Sequence, residues 1–406
     1  MAGNEHALHS VNAESRTGQV GRGRRLVKGD MDGALFAIVI ALLVIGITMM
    51  FSASYPEALQ DGLPGTFYAK KQAIFAGIGL VVMIFVGLFF DYHWFQSLAV
   101  SGTGFVISFI LLIMVLIPGF GVTRGGATRW LKFGSGADSG LQFQPSELMK
   151  VAIVLFFATL IVRNSKRMNT FQYGVAPFMI MLGAVDLLMM KEPHLSGTII
   201  ISVLALTLLF VGGAKPTHFA LICVAGAAVL GLVVLYKMKV EGLGYFKVRW
   251  ISFREPFNPE YMKDETWQTC QSLIAIGSGG MFGLGLGSSR QKYGYLPEAQ
   301  NDFVFSILCE EFGFVGAATV ILLFCLLIFR GFYIAAKAND TFGMLVAVGL
   351  TMHIGLQALL NIAVVSNSIP NTGISLPFFS YGGTALVMQL CEMGILLNIS
   401  GQANLD

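Results

Sequence analysis

The sequence predicts an all-α protein that crosses a membrane about ten times. Composition is the first reason. Of 406 residues, 55% are hydrophobic and 12% charged, with a mean hydropathy of +0.72. A soluble domain carries about 25% charged residues. Spacing is the second. Apolar runs of about 20 residues, long enough to cross a hydrocarbon core of roughly 30 Å, recur along the chain. They lie near 32–54, 72–90, 97–117, 146–163, 171–190, 196–213, 217–236, 302–330, 341–365 and 380–400. The Glu192-Pro193-His194 break separates the fifth from the sixth.

Residues 1–30 are polar and glycine-rich, with Arg16, Arg22, Arg24, Arg25 and Lys28. They lack the apolar core of a signal peptide and are expected to form a disordered cytoplasmic tail. Residues 31–406 then make one polytopic membrane domain, with 237–301 a large extracellular loop between the seventh and eighth spans. Basic residues near membrane ends mark the cytoplasmic side. Arg163, Lys166, Arg167, Lys215, Arg330 and Lys337 fall there if the tail is inside. An even number of spans returns the C-terminus to the cytoplasm. Lys70 and Lys71 fall outside, as exceptions. This is a multi-pass protein of a plasma membrane with both termini inside.

A net charge of +3, scattered over many loops, excludes a nucleic-acid module. The five cysteines include no C-x-x-C pair and no metal spacing, so they read as small apolar side chains.

Three segments carry the chemistry. In the stretch from Tyr295 to Gly313, Asp302, Glu310 and Glu311 stand at the start of a long apolar run. A carboxylate at a helix centre costs about 2.5–3.5 kcal/mol on insertion scales, so chains keep one there mainly for chemistry, ion binding or pairing. With a helix starting near Asp302, Glu310 lies about 80° round and roughly 12 Å further along. Asp302 then sits at the mouth, where a carboxylate can take a proton from a hydroxyl. Glu310, deeper, holds a cation or a Lys or Arg side chain. The bland alternative makes Asp302 only a helix cap.

The second segment runs from Val122 through Arg124, Arg129, Trp130 and Lys132 to Phe143-Gln-Pro-Ser-Glu147-Leu-Met-Lys150. Pro145 and Ser146 fit a helix start, with Ser146 a possible cap. Glu147 and Lys150, three apart, share a face. A capping acid accounts for Glu147. Lys150, about one turn into an apolar segment, lines a cavity or pairs within the bundle.

The third segment, Ser366 to Thr384, holds Pro370, Pro377 and three glycines, which exclude a regular helix over most of it. It suits a re-entrant loop or broken helix near the site, and it includes Ser380. In the large loop, Lys247, Arg249, Trp250 and Arg254 precede a turn at Pro256 and Pro259. A short interfacial helix is expected over Gln268–Ile276. The glycines from Gly277 to Gly287 lack nucleotide-loop spacing and let the backbone turn back and pack closely.

Together these segments resemble the SEDS family, named for shape, elongation, division and sporulation. The motifs are Arg129-Trp130, Phe143 to Lys150, Leu296-Pro-Glu298 leading to Asn301-Asp302-Phe303, Glu310-Glu311-Phe-Gly313, and Pro370-Asn-Thr-Gly373 through Leu376 to Gly383. The resemblance runs from about residue 32 to the C-terminus, and the Pro-Asn-Thr-Gly-Ile-Ser form is closer to the division and sporulation branch. It implies a ten-helix peptidoglycan glycosyltransferase that uses lipid II. A class B penicillin-binding protein, which crosslinks the new strand, is implied as partner. It also implies that Asp302 is the catalytic acid residue and that Arg129, Glu147 and Lys150 line the central cavity. One departure stands out. The family often reads Gln-Pro-Asp where this chain has Glu192-Pro193-His194, with one residue added, and no role follows for His194.

The chemistry then asks for a base, Asp302, on the attacking sugar hydroxyl. It asks for positive charge at the departing pyrophosphate, with Arg129, Lys150, Arg249 and Arg254 the candidates. Mg²⁺ or another divalent cation would be held by pyrophosphate and one or two carboxylates, and no organic cofactor is needed. A lipid II flippase is the alternative, and a scaffold without activity a third reading. No inverted repeat is visible, and the polar residues gather at one face rather than mid-depth.

Overall fold

The computed structural model describes residues 29–403 apart from 125–126, 134–140, 193, 223, 225, 227–230, 232–249, 260 and 262–265. The expected tail, most of the seventh span and Arg249 therefore lie outside the described residues.

Helices α1 (Gly33–Gln60), α2 (Phe67–Phe89) and α3 (Leu98–Val115) come first, and a three-stranded sheet, β1 (Gly121–Arg124), β2 (Ala127–Phe133) and β3 (Leu141–Phe143), follows. Next are α4 (Pro145–Arg163), α5 (Ala176–Lys191) and α6 (Leu195–Val211). Beyond the large loop stand α7 (Trp267–Ser278), α8 (Val304–Lys337), α9 (Thr341–Val365) and α10 (Gly383–Ser400). Eight helical stretches among the described residues are long and apolar enough to cross a bilayer, and α6 is a shorter apolar helix. This is a multi-pass membrane protein. The outward faces of α2, α3 and α8 expose Ile74, Val81, Phe89, Val106, Leu322 and Phe329. An apolar girdle of that extent fits lipid, not water. Polar groups turn inward instead, because hydrocarbon cannot satisfy them.

Each helix end has a local cause. Asp32 caps α1 by accepting from the Leu35 amide at 2.8 Å. Asp340 caps α9 by accepting from the Phe342 and Gly343 amides. α4 starts on Pro145 with Gln144 at the cap position, so Ser146 is not the cap; its hydroxyl accepts from the Gln144 side chain. α8 kinks at Gly313, whose φ of 65° and ψ of −162° only glycine adopts readily. A Cβ there would stand 2.4 Å from the Gly283 amide nitrogen. The glycine run packs against this kink, with Leu284 and Gly285 donating to the Glu310 and Glu311 carbonyls. That is the close return its composition predicts.

α2 packs along α10, α8 along α9, and α4 between α3, α6 and α9. α7 covers the short helix expected over Gln268–Ile276, with one face exposed at Ile274 and Gly277 and the other buried. It buries Thr269, Cys270, Gln271, Ser272 and Ala275 against α8 and α9, and the Ser272 hydroxyl donates to the Val365 carbonyl at 2.7 Å. The antiparallel sheet pairs Val122 with Trp130 and Leu131 with Phe143. It places Arg129 and Trp130 just ahead of the start of α4.

Candidate active site

All the segments expected to face outside converge on one cavity of about 660 Å³ at one end of the bundle. Its walls come from the end of α1, the start of α2, the sheet, and the first turns of α4 and α6. The loop before α8, the middle of α9 and the 371–385 segment complete it.

Asp302 lies in this wall. α8 begins at Val304 with Phe303 at the cap position and no side-chain cap, so the Asp302 carboxylate is not spent on the helix. Its Oδ2 lies against Gly373, 3.2 Å from where a Cβ on that residue would stand. Gly373 has φ +64°, so glycine both tolerates the backbone and leaves room for the carboxylate. The Asn361 side-chain amide donates to the Asp302 carbonyl at 2.7 Å and to the Ile374 carbonyl at 2.6 Å. One residue of α9 thereby fixes the acid's backbone to the facing loop. The Asp302 pKa is raised to about 6, chiefly by desolvation in the recess and also by Glu298, with Arg129 opposing. Glu298 itself sits at φ 56°, an uncommon left-handed conformation for this residue type. Such outliers gather at functional sites.

Glu147 and Lys150 pair at 2.8 Å and are both buried. Lys150 also donates to Gln357 at 3.3 Å, and Gln357 donates to the Ser375 carbonyl at 3.1 Å. This chain of contacts links α4, α9 and the 366–382 loop. It leaves Glu147 Oε2 without a hydrogen-bond partner. Arg129, Glu147, Lys150 and Asp302 thus line one cavity.

Two other expectations need correction. Glu310 does not line the cavity. Its carboxylate accepts from the Ser289 hydroxyl and the Arg290 amide, at 3.0 Å for the latter, and so holds the glycine-rich turn. Asp302 lies before the start of α8, so the helix phase expected between the two does not hold. The lysine expected on Glu310 is instead on its neighbour: Lys292 pairs with Glu311 at 2.8 Å and also donates to Ser52. Ser380 is likewise a structural residue. Its hydroxyl accepts from the Leu376 amide at 2.7 Å and its carbonyl from Gln72 at 3.1 Å, while Tyr381 and Gly382 beside it reach the cavity. Arg254 is exposed and lies outside the lining.

Sequence reasoning missed the α1–α2 hairpin, whose Glu57, Asp61 and Lys71 line the cavity. The signal was the pair of outside lysines. Lys70 is exposed, but Lys71 turns in. It also missed Gln357 and Asn361, which with His353 form a polar stripe at i, i+4 spacing inside the apolar α9.

A polytopic membrane protein with a charged cavity at one end of its bundle, and a carboxylate and cations lining it, is a membrane protein built to receive a polar ligand at a bilayer face. A family model described as cell cycle protein, covering FtsW, RodA and SpoVE, matches residues 33–405, and the chain belongs to that family. Stage V sporulation protein E of Bacillus subtilis (strain 168) is 40% identical over 375 residues, covering 92% of this chain and 98% of the relative. A probable peptidoglycan glycosyltransferase FtsW of Geobacter sp. (strain M18) is 35% identical over 380 residues, covering 93% and 98%. Among solved structures, a chain from a peptidoglycan synthase complex described for its coordination of polymerization and crosslinking matches with a TM-score of 0.73 at 25% identity, covering 93% of this chain and 99% of that one. The rod shape determining protein RodA of Thermus thermophilus matches with a TM-score of 0.63 at 25% identity, covering 93% and 98%.

Proposed function

We propose that this protein is a peptidoglycan glycosyltransferase that polymerises lipid II, with Asp302 as general base. The observation that carries the reading is the uncapped Asp302 carboxylate, set in the cavity wall against Gly373 with a pKa raised to about 6. A base whose pKa lies near the working pH is largely ionised yet basic enough to accept a proton. Asp302 takes the proton of the attacking 4-hydroxyl as that oxygen bonds to the anomeric carbon. The bond from that carbon to the lipid pyrophosphate breaks, and the leaving oxygen takes the electron pair. Arg129 and Lys150, which line the same cavity, meet the charge that develops there.

Among the described residues, no three metal-ligating side chains gather into a cage. A Mg²⁺ or other divalent cation would arrive on the pyrophosphate and add one or two carboxylates, with Glu298 beside Asp302 placed to supply one. When bound it would neutralise leaving-group charge.

The cavity faces the outside of a bacterial plasma membrane, and both termini are cytoplasmic. The cationic ends of α4 and α8, Arg163 and Lys337, lie at the far end from the cavity, as the positive-inside rule requires. The partner is a class B penicillin-binding protein that crosslinks the strand; the likeness to a chain of a synthase complex supports this. Division or sporulation is the setting that the FtsW and sporulation relatives support. The flippase reading is not favoured, since the site is at one face and not at mid-depth. The test is the purified protein in detergent with lipid II. Glycan strands longer than the substrate are expected. Lipid II translocation in vesicles with no polymer would overturn the enzyme in favour of a flippase.

A further inference from the structure

The Glu192-Pro193-His194 break, for which the sequence yields no role, sits at the cavity. His194 lines it and is only 7% exposed, and its Nδ1 has no hydrogen-bond partner. Its ring occupies the space left by Gly197, where a Cβ would stand 2.6 Å from Nδ1 and from Cε1. The residue is also the cap position of α6, a helix of 17 residues whose first turn presents Ser196 and Gly197 to the cavity. Helix N-termini favour anions, through free amide groups and the helix dipole.

The charges that act on this ring are the cations Arg129 and Lys150, the latter paired with Glu147. Burial, then Arg129 and Lys150, lowers the His194 pKa well below the usual value, which keeps the imidazole neutral. Glu192, two residues earlier, is buried with both carboxylate oxygens unpartnered, and burial raises its pKa to about 8 despite Arg129. At neutral pH it is largely protonated and adds little negative charge. A neutral imidazole facing such a pole has one useful act for an anion: donating a single N–H. The first turn of α6, which His194 precedes, is also tied to the segment beside the base. The Ser196 hydroxyl donates to the Thr372 and Gly373 carbonyls, at 3.2 and 3.4 Å, and Gly373 is the residue against which Asp302 lies.

We propose that His194 is a ligand-binding residue that donates a hydrogen bond to the pyrophosphate of the lipid substrate, completing with Arg129, Lys150 and the α6 N-terminus an anion pole across the Thr372–Gly373 segment from the base. This rests on the cavity being a substrate site, and it places the leaving group within that cavity.

The test measures binding of farnesyl pyrophosphate, with farnesol as the uncharged control, to the full-length protein in detergent. His194→Asp should weaken farnesyl pyrophosphate binding by roughly tenfold or more, since it removes a donor to a charged group and adds like charge. His194→Ala should weaken it by about fivefold, and His194→Gln, which keeps an N–H donor, should bind within about twofold of wild type. Farnesol binding should be the same in all four proteins. Wild-type affinity for farnesyl pyrophosphate in His194→Asp overturns the proposal. So does an equal loss of farnesol binding, which would mark a collapsed wall, or a failure of the wild-type protein to bind farnesyl pyrophosphate. Lipid II polymerisation is scored separately. A protein that shows the His194 dependence but makes no polymer keeps the anion site and loses the polymerase reading; the converse result loses only the anion site.

Discussion

At the end of α8 away from the cavity, the acidic side chains Asp32 and Asp340 have found partners within the protein. Asp32 caps α1 and binds Arg330 at 2.6 Å. Asp340 accepts from Tyr92 and from two amides that start α9. The Asn398 amide donates to the carbonyls of Val86, Gly87 and Phe90, and its oxygen accepts from the Tyr92 amide and Gln402. At the cavity end, Glu147 Oε2, both oxygens of Glu192, His194 Nδ1 and Thr372 Oγ1 lack partners. A buried polar group without one costs about 1–3 kcal/mol. The far end leaves Gln402 Oε1 and His218 Nδ1 without partners too, but at the cavity end such atoms gather around one cavity, which is what a site awaiting a polar ligand requires. Changes at the two ends should therefore be read by different measurements.

The largest effect belongs to Asp302. Asp302→Asn keeps size but removes the base, so polymerisation should fall about 10²–10⁴-fold while the melting temperature holds. Lys150→Met comes next. It removes a cation from the leaving-group side and leaves Glu147 buried without its pair, which costs about 3–5 kcal/mol, so activity and melting temperature should both fall. An unchanged rate per folded molecule would make the pair purely structural.

At the far end the pattern inverts. Arg330→Gln removes the partner of a fully buried Asp32 carboxylate, though the arginine is itself one-third exposed (33%). A loss of about 1–3 kcal/mol in stability is expected, with normal turnover by the folded fraction. Tyr92→Phe should be milder. It removes one hydrogen bond to Asp340, which keeps its two amide donors, at about 1 kcal/mol and with no kinetic change. Loss of turnover in either variant, at unchanged folding, would break the division between the ends.

The sequence showed one end better than the other. Asp302, Glu147 and Lys150 were legible because a charge beside an apolar run is costly and therefore conspicuous. The kink at Gly313 was legible only as a glycine run, since its cause is contact with Gly283 across the fold. The sheet that carries Arg129 escaped notice because its strands are short and join a polar loop without a clear alternation. Glu310 was misassigned for a related reason. Helix phase placed it about 80° round from Asp302 and deeper, but only the folded turn at Ser289–Gln291 shows what it faces. The α1–α2 contribution was hidden because Glu57 and Asp61 read as ordinary polar residues at a helix end. The far-end pairs, such as Asp32 with Arg330, join residues 298 positions apart that no local pattern connects.

Loss of activity alone does not identify a base, whereas a titration does. The measurement that reaches the central claim is the pH dependence of kcat/KM for lipid II polymerisation, in wild type and in Glu298→Gln. The base acts only when ionised, so with the Asp302 pKa near 6 the rate should be flat at neutral pH and fall as pH drops through about 6. Glu298 raises that pKa by its negative charge, so removing the charge should move the acid limb to lower pH. An acid limb near 6 that shifts downward in Glu298→Gln is the predicted result. A profile with no limb between about pH 5 and 7, or one that Glu298→Gln leaves in place, would contradict Asp302 as the base.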